Sequence, residues 1–259
     1  MRRSTSPTSS TPHTATGFSL LEVLVCITVI AVLVSMLLPT LGYARDAGYR
    51  AVCSNNLRQM NVGWQGYLQD HKETFPVAQA LPEWTYGGVS FVGLDKTPRL
   101  DDSRPINRYL SSAQSAGDIA SDASKLFHCP SDAGVWERQD QTKGPGFSIL
   151  GQAGGETCYG FFGNSYSANP RLMNASIAGV DGATRALRLA DIQSDTSRLL
   201  VAGDAAWKYA TSTDSTRRLE ASWHRTRDCG NFLAADGSIR FVNFARSGSS
   251  IEFTLSPLP

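Results

Sequence analysis

GFSLLEVLVCITVIAVLVSMLLP, from Gly17 to Pro39, is the stretch on which the reading of the whole chain turns. Between Val23 and Leu38 only Thr28 and Ser35 interrupt a run of strongly apolar side chains, and no charge stands between Glu22 and Arg45. As a helix, Phe18 to Leu41 would be about 36 Å long, enough to cross a bilayer core of about 30 Å. A core helix of a soluble protein is the competing reading, but the run is long, has no polar stripe and lies next to the N-terminus. A secretory signal would end its apolar region after about 7 to 15 residues at a small-x-small site. This run is longer and leads into Pro39, Gly42 and Tyr43. Lipoprotein processing at Cys26 fails on the bulky Val25 before it.

Working outward, residues 1–17 are polar, with Arg2 and Arg3 and no acid. Such cations favour a cytoplasmic N-terminus and place the residues after the span on the other side. Inside the apolar run Glu22 is anomalous, because a lone carboxylate in a membrane costs about 3 kcal/mol unless it finds a cation. Proline removes a helical hydrogen bond and clashes with the preceding turn, so Pro39 predicts a kink or local melt over Ser35 to Pro39.

Gly17, Phe18, Glu22 and Pro39 in this register resemble the N-terminal segment of type IV pilins and type II secretion pseudopilins. The resemblance implies cleavage between Gly17 and Phe18 by a prepilin peptidase and methylation of the new Phe18 amine. It also implies that Glu22, the fifth residue after the cut, pairs with the N-terminal ammonium of a neighbouring subunit. Residues 1–17 are then a leader, 18–41 the transmembrane half of a long helix, 42–70 its amphipathic continuation and 71–259 an extracytoplasmic headpiece.

Leu57, Met60, Trp64, Tyr67 and Leu68 fall on one helical face, which predicts a stripe packed on the headpiece. The run CSNNLRQMNVGWQGYLQDHKETFP from Cys53 to Pro76 resembles the post-membrane motif of a large bacterial group of prepilin-like proteins. FHCPSD at Phe127 to Asp132, NSYSAN at Asn164 to Asn169 and HRTRDCGNFLAADGSIRFV from His224 are similar to further motifs of that group. The last matches an H-x9-DG pattern loosely, since eleven residues separate His224 from Asp236, followed by Gly237.

The expected fold class is α+β, a long N-terminal helix packed on a C-terminal antiparallel sheet. Strands are predicted at Arg198 to Ala202, Asn231 to Ala235, Ser238 to Phe244 and Ile251 to Leu255, with Asp236-Gly237 as a two-residue hairpin turn. Ser111 to Ser124 and Gln139 to Gly155 read as loops. Outside the span, Cys53, Cys129, Cys158 and Cys229 allow three pairings. The expected disulfide is Cys129 with Cys158 across a long glycine-rich loop, with unpaired buried thiols as the alternative.

No C-x2-C or H-x3-H spacing occurs, so no metal site is predicted from local spacing. Resemblance to pseudopilins raises calcium in a headpiece loop, with Asp191, Asp195 and Asp204 as candidate oxygen ligands, although no D-x-D-x-D-G loop is present. No catalytic residues are predicted: His224, Asp236 and a serine could be drawn as a triad, but no G-x-S-x-G element supports it. Lys+Arg 24 against Asp+Glu 23 removes the usual electrostatic argument for nucleic-acid binding. Arg217, Arg218, Arg225 and Arg227 are interrupted by Glu220 and Asp228 and read as a solvated face.

The expected function is therefore a non-enzymatic filament subunit of a type IV pilus or type II secretion pseudopilus. Its expected partners are the prepilin peptidase, other pilin or pseudopilin subunits, an inner-membrane assembly platform and membrane lipids. The alternative is a membrane-anchored extracytoplasmic binding module that never polymerises.

Overall fold

The apolar run and the stripe beyond it form one helix. In the computed structural model α1 extends from Leu20 to Asp70. The structure describes residues 19–77, 82–92, 97–101, 103–110, 125–132, 157–173, 176–178, 184–210, 223–226, 228–244 and 253–258. The chain divides into two units, residues 1–44 and 45–259.

In the first unit, α1 carries apolar side chains on every face, and those from Leu20 to Leu41 are exposed. It is long and apolar enough to cross a membrane by length and composition. Thr28, Ser35 and Thr40 turn their hydroxyls back onto the carbonyls of Val25, Val32 and Leu37, so none presents an unsatisfied donor. The helix runs unbroken through Pro39, so the expected local melt does not occur.

In the second unit, Cys53, Asn56, Leu57, Met60, Gly63, Trp64 and Leu68 of α1 are buried, the three-and-four spacing of a helix that gives one face to a core. Trp64 stacks on Tyr86 with ring centroids 5.4 Å apart, and the Tyr86 hydroxyl donates to the Tyr166 carbonyl. The helix ends with Lys72 and Glu73 in left-handed conformations, Glu73 N–H donating to the Leu68 carbonyl.

Two small antiparallel pairs are separate from the main sheet: β1 (Val89–Val92) pairs with β2 (Thr97–Leu100), and β4 (Ser176–Ala178) pairs with β5 (Thr184–Ala186). The main sheet has four antiparallel strands in the order β3 (Tyr166–Ala168), β6 (Leu200–Asp204), β7 (Cys229–Ala234) and β8 (Ile239–Asn243). Strands β3, β6 and β7 are buried throughout, including β3 at one sheet edge, whereas β8 at the other edge is partly exposed, at Arg240 and Phe241. The α+β arrangement expected from the sequence is the observed one.

Three predicted strands are present with shifted ends. Of the fourth, Thr254 makes an isolated bridge to Leu199 rather than a strand, and residues 251–252 lie outside the described residues. The hairpin loop has three residues, not two. Leu233 pairs with Ile239, Ala234 N–H donates to the Ser238 carbonyl, and Gly237 N–H donates to the Ala234 carbonyl. Only Gly237 takes positive φ, at 84°, while Asp236 Oδ1 accepts from Ser238 N–H. This is a tight turn followed by a left-handed glycine, the usual solution for three-residue hairpins. Ser111 to Ser124 and Gln139 to Gly155 fall outside the described residues.

Candidate functional site

At the N-terminal end, Gly17 and Phe18 lie outside the described residues. Glu22 sits in the first turn of α1, and its Oε2 accepts from Ser19 N–H at 2.9 Å. An acid in this position complements the unpaired N–H groups and the positive end of a helix.

The second unit holds a different chemical feature, a buried cluster assembled from four distant segments. Cys53, on α1, is disulfide-bonded to Cys129, with Cα atoms 5.4 Å apart and a sequence separation of 76. The expected Cys129–Cys158 bond is therefore replaced by Cys53–Cys129. The helical stripe explains the choice, since Cys53 lies one turn ahead of Asn56 and Leu57 on the buried face. Cys158 is a buried thiol at the start of the helix Cys158–Phe162. Burial pushes that thiol's pKa up, and the Asp132 carboxylate adds to the shift.

Beside the disulfide lie Asp204 and His224, with side chains 0% exposed. Asp204 ends β6, and its Oδ2 accepts from Asn231 N–H at 2.6 Å and Asn231 Nδ2 at 3.1 Å, and lies 3.0 Å from His224 Nε2. A carboxylate oxygen accepts, so this contact selects the tautomer with the proton on Nε2. Cys129 Sγ is 3.8 Å from the same ring nitrogen. Asp204 Oδ1 and His224 Nδ1 have no hydrogen-bond partner although both are buried. Among the described residues, Cys53, Cys129, Asp204 and His224 are the group whose ligand-type atoms lie mutually close, all within 4.8 Å.

Local backbone chemistry holds this cluster in place. A Cβ at Gly230 would come within 2.9 Å of Asp204 Cβ, so the glycine leaves room for the carboxylate. His224, Arg225 and Asp228 all have positive φ, a conformation that costs about 1 to 2 kcal/mol per non-glycine residue. Arg50 of α1 reaches this strained loop. Its guanidinium binds Asp46, donates to the His224 carbonyl and Thr226 Oγ1, and lies 4.6 Å from the centre of the Phe241 ring.

The cysteine segment is tied just as tightly. Ser165 Oγ accepts from Cys129 N–H and donates to Asp132 Oδ2, which also accepts from Tyr159 N–H. Asn56 Nδ2 donates to the His128 carbonyl and the Tyr166 hydroxyl. The runs CSNNL, FHCPSD and NSYSAN, far apart in sequence, thus form one polar framework inside the core.

A family model described as "Protein of unknown function (DUF1559)" matches residues 43–230. The chain belongs to this family. A second model, described as "Prokaryotic N-terminal methylation motif", matches residues 13–38. The two together place the chain among type IV pilin-like proteins with the H-x9-DG type motif. No curated protein and no solved structure matches it. The disulfide and its acid–imidazole neighbours all fall within the segment that matches the DUF1559 model.

Within that motif the structure separates the two halves. His224 enters the buried cluster, where its carboxylate partner is Asp204, while Asp236 and Gly237 build the hairpin turn. The candidate calcium ligands do not converge. Asp191 binds Arg185 through both oxygens and Asp195 caps Ser197 N–H, whereas Asp204 faces His224. Of the basic cluster, Arg217, Arg218 and Arg227 lie outside the described residues. Sequence reasoning missed Cys53, Asp204 and Asn231 as members of one site. For Asp204 the available signal was an acid closing the apolar run LLVAGD, a placement that demands buried partners.

Proposed function

We propose that the protein is a prepilin-like structural subunit, cut between Gly17 and Phe18, methylated at Phe18 and assembled through α1 into a type IV pilus-like or type II pseudopilus filament. The observation that carries this reading is the coincidence of a methylation motif at residues 13–38 with an exposed apolar stretch of α1, residues 20–41, whose one acid, Glu22, lies in the first turn. In lipid that acid needs a cation, and the new N-terminal ammonium of a neighbouring subunit supplies one. Arg2 and Arg3 keep the N-terminus cytoplasmic until cleavage, which puts the headpiece in the periplasm or outside the cell. The partners are a prepilin peptidase, other pilin or pseudopilin subunits and an inner-membrane assembly platform. The chain performs no bond chemistry of its own.

The intact mass of membrane-extracted protein is expected to correspond to a chain beginning at methylated Phe18, and retention of Met1 removes the premise. Glu22→Ala is expected to leave cleavage intact and lower filament yield. Crosslinking from positions near Glu22 is expected to give a ladder of homotypic products, which a non-polymerising binding module would not give.

A further inference from the structure

We propose that the Cys53–Cys129 pair, when reduced, joins Asp204 and His224 as the four ligands of a buried zinc-type divalent cation site, and that disulfide formation closes this site. The two states are mutually exclusive, because the thiolate is the form of sulfur that binds such an ion and the S–S bond leaves neither sulfur as a thiolate.

The ligand set is the first reason. Two thiolates, one imidazole and one carboxylate are donors that zinc takes in four-coordinate sites. Their ligand-type atoms lie within 4.8 Å of one another. A tetrahedral ion with ordinary bond lengths sets its nitrogen about 3.6 Å from each sulfur and about 3.4 Å from the carboxylate oxygen. The observed separations from His224 Nε2 are 3.8 Å to Cys129 Sγ and 3.0 Å to Asp204 Oδ2. Opening the sulfur pair to about 3.8 Å, the tetrahedral spacing of two thiolates, asks for rotation of two side chains whose Cα atoms stand 5.4 Å apart.

The second reason is independent of spacing. Asp204 is fully buried, and its Oδ1 has no donor. A buried carboxylate oxygen without a donor is unfavourable, and an ion held at the Asp204 carboxylate places a positive charge beside it. Gly230 and the strained loop at His224 hold the acid and the imidazole at the sulfurs in a geometry that a structural disulfide alone does not require.

The chemistry balances with a dithiol or phosphine as reductant. Two electrons and two protons convert the disulfide into two thiols while the reductant is oxidised. The ion then binds both sulfurs as thiolates and releases the two thiol protons, while the Nε2 proton of His224 is exchanged for one on Nδ1, so that the ring binds as neutral imidazole.

The test uses the full chain in detergent. Reduced with a phosphine, mixed with zinc and desalted, it is expected to carry one zinc per chain by elemental analysis, and the oxidised chain none. With cobalt in place of zinc, the reduced chain is expected to show the visible bands of tetrahedral cobalt and sulfur-to-cobalt charge transfer. His224→Gln and Asp204→Asn, checked for native circular dichroism, are expected to weaken zinc by more than about 100-fold, beyond the loss of an outer-shell partner. Cys158→Ala is expected to bind as the parent does. Equal zinc in the oxidised and reduced chains, undiminished binding in a folded His224→Gln, or a reduced chain that takes up no zinc whether folded or unfolded, overturns the proposal.

Discussion

Asp191 shows how a single carboxylate couples a surface turn to pH. Both its oxygens bind Arg185, at 2.6 and 2.7 Å, and Oδ2 also accepts from Arg188 N–H. The Arg185 bonds and then the Arg188 amide hold its carboxyl at a pKa of about 2, below the ordinary 3.8. A carboxyl whose pKa is depressed by folding adds stability above its unfolded pKa and loses it as pH falls through the folded one. Asp191→Asn is therefore expected to lower stability at pH 6 by less than about 1 kcal/mol, the usual range for an ion pair at the surface. Urea titrations should show the difference from wild type shrinking between pH 4 and pH 2, and a difference that grows over that interval would contradict the assignment. Cys158 behaves oppositely. It is buried, and burial raises its thiol pKa, so alkylation in the native chain at pH 8 is expected to leave it unmodified while the unfolded chain labels fully. Peptide mapping reads the label at that residue.

Elements differ in how much of their geometry a local sequence carries. The buried face of α1 was legible because Leu57, Met60, Trp64 and Leu68 repeat at helical spacing, and all four are buried. Trp64 fills the core against Tyr86 and Phe75. Trp64→Ala is accordingly expected to cost about 3 to 5 kcal/mol, read as a fall in the urea midpoint with little change in slope. Asp236-Gly237 announced the β7–β8 turn but not its length, because register is set by which residues of two strands pair, and the bond from Ala234 N–H to the Ser238 carbonyl leaves three residues, 235–237, between them. Gly237 then carries positive φ, and a Cβ there would meet the Asn61 side chain at 2.9 Å. Gly237→Ala is expected to lower stability by about 1 to 2 kcal/mol, whereas Asp236→Ala, which loses only the bond to Ser238 N–H, is expected to cost about 1 kcal/mol or less. Equal costs for the two would mean that the glycine's conformation does not matter.

At the scale of the whole molecule, what could not be read from the sequence is what joins distant segments. Periodicity and turn residues act over a few positions, but the disulfide spans 76 residues and the acid–imidazole contact brings the end of β6 to the loop before β7. Cys53, Cys129 and His224 each stand in a run that resembled a family motif. Only packing Cys53 of α1 onto the segment Phe127–Asp132 decides that the first two bond and the third lies beside them. That bond has a measurable consequence. Closing a loop of this length in the unfolded chain removes conformational entropy corresponding to about 4 kcal/mol on the chain-entropy account. Reduction with chelator present is expected to destabilise residues 45–259 by up to about that amount, seen as a lower urea midpoint for the sheet signal. Ser replacement of Cys53 should reproduce the loss without reductant, and reduction of the Cys53→Ser chain should add nothing further. If wild-type stability is instead indifferent to reduction, or Cys158→Ala destabilises by as much as Cys53→Ser, the clasp between α1 and the Phe127–Asp132 segment is not what holds this framework together.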